Sequence, residues 1–214
     1  MSGDNEIRHL PKDQAVIVSQ VTSRLAPKFD GVFSKETVER FVTESMLLLL
    51  VNARISTYLS LLTEKFARDR LTALSRIEFS ETVERPAVVF LCVQNAGRSQ
   101  MASAWLKSMV GDRADIWSGG SNPSPQLNSS VVAVMNEVGI DLTQEFPKPW
   151  TDEIIRASDV IITMGCGDSC PIYPGKKYED WQVPDPEGQP VAVVREIRDD
   201  IRQRVESLVR TLEL

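Results

Sequence analysis

Residues 88–102 read VVFLCVQNAGRSQMA, and the change of pattern inside that stretch decides the fold. Val88 to Leu91 is an unbroken apolar run, as in a strand buried on both faces, which places the strand over Ala87–Cys92. An amphipathic helix follows over Arg98–Val110, and the loop between them holds a cysteine at its start and an arginine at its end.

Outward from that junction the alternation repeats. A strand is expected over Asp115–Ser118, a helix over Pro125–Glu137 stopped at Gly139, and a strand over Asp159–Met164. A long closing helix carries Val194, Ile197, Ile201, Val205, Leu208 and Leu212 on one face. Strand–helix alternation implies an α/β parallel sheet flanked by helices.

Upstream of Glu78–Pro86 only helical periodicity is present. One helix is expected over Lys12–Ala26, with Ile17, Val18, Val21 and Leu25 on one face. After the turn APKFDGVFS, with Ser34 as N-cap, a second carries Val38, Phe41, Val42, Ser45, Leu48, Leu49 and Asn52 as one stripe. A third turns Leu59, Leu62, Phe66, Ala73 and Ile77 inward, with EKFARDR on its charged side. The expected organisation is a small all-α three-helix bundle over residues 1–80 and an α/β domain over residues 86–214. A bundle of about 75 residues is marginal as a lone core. It is expected to pack on the α/β domain, on a second copy as a homodimer, or on both.

Composition narrows the function classes. The 214 residues carry a net charge of −6, which argues against non-specific nucleic-acid binding and requires local groups to hold any anion. The N-terminal MSGDNEIRHLPKDQ lacks the apolar core of an export signal. The longest apolar run, MLLLLV at Met46–Val51, falls short of the ~20 residues of a membrane span. A cytoplasmic protein with no membrane partner is expected. Three cysteines in a reducing compartment read as free thiols or transient redox groups rather than a disulfide framework. His9 is the single histidine, so neither a zinc site nor a cysteine–histidine pair has its partners, and no metal or cofactor is expected.

The loop after the first strand concentrates the chemistry. Open parallel sheets bind ligands where a strand's carboxyl end feeds a helix. Helix N-termini favour anions there, and they favour thiolate over thiol. Arg98 offers a planar fork for a tetrahedral oxyanion, Gly97 lets the backbone curl around it, and Ser99 can donate to the sulfur of Cys92. Alone, Cys92 would read as a small buried apolar residue; Arg98 and Ser99 at this spacing change that reading.

The stretch CVQNAGRSQMA resembles the C-x-x-x-x-x-R-S signature of low-molecular-weight protein tyrosine phosphatases and of the arsenate reductases sharing their fold, from about Val88 to the C-terminus. The resemblance implies a four-stranded parallel sheet, Cys92 as nucleophile and Arg98 as oxyanion clamp. Val93, Gln94, Asn95, Ala96, Gly97, Arg98 and Ser99 would then bind substrate, with Asn95 fixing the loop. IWSGGSNP resembles the family's serine–glycine turn through Ser118, and FSKETVERFV with EKFARDRL resembles a helical extension of some actinobacterial proteins.

Phosphate and arsenate share shape and charge, so the loop does not choose between them. Cys166 and Cys170, among Gly165, Gly167 and Pro171, follow a strand that ends at Met164. They could be a zinc half-site without further ligands, or inert, but two thiols in a glycine-rich loop suit an electron donor. The segment TMGCGDSCPIYPGKKYEDWQVPDPEGQ resembles the redox loop of thioredoxin-coupled arsenate reductases. That likeness implies a Cys92–arsenic adduct, a Cys92–Cys166 disulfide, and then a Cys166–Cys170 disulfide reduced by thioredoxin. It also makes Asp185 the general acid; without the resemblance, VPDPEG reads as an ordinary turn. Ser103 stands where some relatives carry an acidic potassium ligand, so a potassium site is not expected. The other readings are a phosphatase acting on phosphotyrosine or a small phosphate ester, a non-catalytic oxyanion or redox sensor, and a reductase served by a low-molecular-weight thiol and a glutaredoxin-like partner.

Overall fold

The computed structural model describes residues 10–51, 57–79, 85–165 and 172–214. Helices α1 (Lys12–Leu25), α2 (Lys35–Val51) and α3 (Leu59–Glu78) precede strand β1 (Ala87–Cys92). Then follow α4 (Arg98–Val110), β2 (Asp115–Gly120), α5 (Ser129–Asn136), α6 (Asp152–Ala157), β3 (Val160–Met164), β4 (Lys177–Asp180) and α7 (Val191–Thr211). The strands pair in parallel in the order β2-β1-β3-β4. Cys92 sits at the carboxyl end of β1 between Gly120 of β2 and Met164 of β3.

Strand periodicity sorts the core into two layers. Val88, Phe90 and Cys92, with Val160, Ile162 and Met164, pack under α4, α5 and α7. Ala87, Val89, Leu91 and Ile161 face the other way. There they share one core with Ile154 and Ile155 of α6 and with Val21, Val42, Leu49, Phe66 and Leu71 of the N-terminal helices. A bundle too small to stabilise itself is thus completed by the sheet, each buried Val or Leu contributing about 1.5–3 kcal/mol relative to exposure. Much of the apolar face of the three helices is buried against the sheet, while Val16, Val51 and Leu61 remain exposed.

Several expectations shift in detail. Ser34 caps α2, its Oγ accepting from the Thr37 amide at 3.2 Å. Met46 rather than Leu48 takes the fully buried place in the α2 stripe, and Asn52 lies outside the described residues. The helix expected from Pro125 begins at Ser129, because Asn128 caps it by accepting from the Val131 amide. Neither α6 nor β4 is apparent from periodicity: α6 has six residues, and β4 reads KYED, a polar edge strand.

The largest departure concerns EKFARDR. Arg70 is not on a solvated face but 5% exposed, donating to Ser45 at 3.1 Å and Glu44 at 2.9 Å and pairing with Glu153 of α6. Arg76 reaches Asp115 at 2.9 Å and Asp159 at 3.1 Å, at the amino ends of β2 and β3. Lys65 pairs with Glu145 at 2.9 Å. Lys65, Arg70 and Arg76 of α3 thus meet acidic partners on other elements, which lets Arg70 and Arg76 lie inward.

Candidate active site

The sulfur of Cys92 is held by its own loop. It accepts from the Asn95 amide at 3.2 Å and meets Ser99 Oγ at 3.0 Å. Asn95 Nδ2 donates to the same Ser99 oxygen at 2.9 Å, which leaves the serine hydroxyl proton free to point at sulfur. Asn95 adopts a left-handed backbone, φ 48°, a conformation asparagine tolerates better than most residues. Its Oδ1 accepts from Gln100 Nε2 at 3.1 Å and from the Lys148 amide at 3.0 Å. Gln100 also donates to the carbonyls of Asn95 and Phe146, both at 3.0 Å.

The outer rim is stitched as well. The amides of Ser121, Asn122, Ser124 and Asn128 donate to the carbonyls of Cys92, Val93, Gln94 and Ala96. Gly120 permits this approach, since a Cβ there would lie 2.6 Å from the Val93 carbonyl oxygen.

Arg98 is anchored across the cleft. Its side chain is 10% exposed, with Nη2 donating to Asp185 Oδ2 at 2.6 Å and Nη1 to the Val183 carbonyl at 3.3 Å. Asp185 is half exposed, and its Oδ1 accepts from the Glu187 amide at 3.1 Å. Gly97 packs on Pro186, where a Cβ would come within 2.8 Å of Pro186 Cγ. Gly165, at φ 75°, lies against the guanidinium; a Cβ there would be 3.0 Å from Arg98 Nη1.

Cys92, Gln94, Ala96, Gly97, Arg98 and Asp185 therefore line one cleft, joined by Asn128, Pro186 and Glu187. Asn95 and Ser99 sit buried beneath it, while Val93 is outside its lining. Cys166 and Cys170 lie outside the described residues. Gln100, inside the quoted motif, and Asn128 are supports that residue type alone does not reveal. Lys148, in EFPKPW, has no motif at all. Among the described residues no group of three His, Cys, Asp or Glu could hold a metal, and no helix is long and apolar enough to cross a membrane. A broader cavity of about 760 Å³ lies by the amino ends of β1 and β3, but there Arg76 and Arg85 are engaged by Asp115.

A parallel sheet presenting cysteine and arginine from one strand–loop–helix junction defines a class of α/β proteins with a thiol-bearing loop at the carboxyl edge of the sheet. Within it, the chain belongs to the low molecular weight phosphotyrosine protein phosphatase family, whose model matches residues 87–214. Residues 18–75 match a protein-tyrosine-phosphatase-like N-terminal domain. The thioredoxin-dependent arsenate reductase of Corynebacterium glutamicum is similar in structure with a TM-score of 0.83, at 42% identity, covering 94% of this chain and 98% of that one. Arsenate reductase 2 of Staphylococcus epidermidis is 34% identical over 129 residues, 58% of this chain and 97% of that protein. The glutaredoxin arsenate reductase of Synechocystis is 34% identical over 125 residues, 57% and 95% of the two chains.

Proposed function

We propose that this protein is an arsenate reductase working by a three-cysteine relay regenerated by thioredoxin, with the helical unit over residues 1–80 and the catalytic domain over residues 86–214. Cys92 attacks arsenic, Arg98 neutralises the oxyanion, and Asp185 gives its proton to the departing oxygen, leaving a Cys92–arsenic adduct and water. The Cys166 thiolate then attacks the Cys92 sulfur. The S–As bond breaks, its electron pair stays with arsenic, and arsenite leaves as a Cys92–Cys166 disulfide forms. Cys170 displaces Cys92 from Cys166, and the thioredoxin dithiol reduces the Cys166–Cys170 bond.

The observation that carries this reading is the strand register. Met164 is the β3 partner of Cys92, and Gly165, the residue before Cys166, packs on the guanidinium of Arg98. Adjacent strands lie about 4.8 Å apart. The chain entering Cys166 therefore starts beside the clamp that would hold the adduct. The similarity to arsenate reductases over nearly their full length supports the same substrate. A second reading, phosphate-ester hydrolysis, is favoured by Cys92, Arg98 and Asp185 sharing the cleft, a set that is sufficient for it.

Cys92→Ser, Cys166→Ser and Cys170→Ser, assayed with arsenate, thioredoxin, its reductase and NADPH, separate the readings. Each is expected to abolish multiple turnover, with Cys170→Ser still releasing one arsenite per chain. Normal cycling by Cys170→Ser refutes the relay. Aryl phosphate hydrolysis that persists in Cys166→Ser/Cys170→Ser, with no arsenate turnover in the parent protein, establishes the phosphatase. Replacing thioredoxin by glutaredoxin and a low-molecular-weight thiol identifies the reductant.

A further inference from the structure

Lys148 is 3% exposed, yet among the described residues no carboxylate lies within ion-pair distance of its ammonium. Its Nζ reaches Ser118 Oγ at 3.4 Å and stands 4.8 Å from the centre of the Phe146 ring. Beyond it opens a cavity of about 110 Å³, walled by Lys65, Arg68 and Asp69 of α3, Ser103 and Lys107 of α4, Ser118 of β2, and Glu145. Glu145 is already engaged by Lys65. Asp69, half-buried, lines the same cavity as Lys148, and burial raises its carboxyl above the usual carboxylate range, opposed chiefly by Lys148.

The backbone of Lys148 connects this charge to the reactive loop. Its amide donates to Asn95 Oδ1 at 3.0 Å, and its carbonyl accepts from the Gly120 amide at 2.9 Å. Asn95 is the left-handed residue whose own amide and side chain reach the Cys92 sulfur and Ser99. Displacing Lys148 removes a donor from the residue that shapes the whole loop.

We propose that Asp69, on the N-terminal helix α3, is a positioning residue for the Cys92 loop, acting through the buried ammonium of Lys148 and the Lys148–Asn95 hydrogen bond. The N-terminal helices are then a working part of the active site. Burial pushes the Lys148 ammonium below the usual lysine range, opposed by Glu145 and Asp69 and reinforced by Lys65 and Lys107. Removing the Asp69 charge favours the neutral amine further, so the effect grows as pH rises.

The inference rests on Cys92 being the reactive sulfur but not on the relay, so one arm of the test is done without it. In a Cys166→Ser/Cys170→Ser background, inorganic phosphate protection of Cys92 against iodoacetamide is measured from pH 6.5 to 9. Asp69→Asn is expected to weaken protection about tenfold at the alkaline end and much less at pH 6.5, and Asp69→Glu to restore it. In the otherwise native protein, kcat/KM for arsenate should lose its alkaline limb at lower pH in Asp69→Asn. Lys148→Met should lose activity across the range, with no further loss on adding Asp69→Asn. Unchanged pH profiles in Asp69→Asn with only a lower Tm, or additive losses in the double variant, overturn the proposal. Should the protection assay respond to Asp69→Asn as expected while Cys170→Ser cycles normally with thioredoxin, the relay reading fails instead.

Discussion

Asn95 shows how much of the site is held by single residues. Its side chain gives one hydrogen bond to Ser99 and takes two, from Gln100 and Lys148, so both ends of the amide are committed. Asn95→Asp keeps the acceptors and removes the donor to Ser99, releasing the serine hydroxyl from its place at sulfur. A 10–100-fold fall in kcat/KM for arsenate, about 1.4–2.8 kcal/mol, is expected from steady-state kinetics. Gly165 is constrained by conformation and by space, with φ 75° and the Arg98 guanidinium where a Cβ would stand. Gly165→Ala should cost roughly 1–2 kcal/mol in backbone strain. It should also raise KM for arsenate more than it lowers kcat, because it crowds the clamp rather than the sulfur.

At the scale of elements, ion pairs weld helices that periodicity treats as separate. Arg70 of α3 joins Glu44 of α2 to Glu153 of α6, and its guanidinium lies 4.8 Å from the Phe41 ring centre. Arg70→Met leaves the Glu153 carboxylate shielded and unpaired, and should destabilise by about 3–5 kcal/mol in urea unfolding. Arg70→Met/Glu153→Met should recover part of that loss, since no charge then remains buried. Between α5 and α7, Glu137 is held below the usual carboxylate range chiefly by its hydrogen bond from Arg195. A depressed carboxylate stabilises the fold above its unfolded value, 4.5, and that contribution is lost as pH falls through the folded value. Glu137→Gln should therefore lower Tm by a constant amount above about pH 4.5 and flatten its fall on the acid side, so that variant and parent converge at low pH.

For the whole molecule, the decisive fact is one core shared by α1–α3 and a face of the sheet. A chain beginning at Pro86 would expose Ala87, Val89, Leu91, Ile154, Ile155 and Ile161 together, a contiguous apolar surface. Such a truncation should bind a hydrophobic dye and self-associate in size-exclusion chromatography. Retention of a monomeric, dye-free species would show that α6 alone suffices to cover the sheet.

The strand Ala87–Cys92 and the helix Arg98–Val110 were legible residue for residue, because an apolar run meeting a helical period is a local signal, and the cysteine–arginine spacing lies within it. The three N-terminal helices were legible for the same reason. The polar edge strand β4 and the short α6 were not, since partners distant in sequence stabilise them. Nor could any local pattern place Asp185 on Arg98, Arg70 in the interior, or Lys148 beneath the Cys92 loop. Those placements join residues 25 to 87 positions apart, and a buried charge is tolerable only where folding brings its counter-charge or hydrogen-bond partner to meet it.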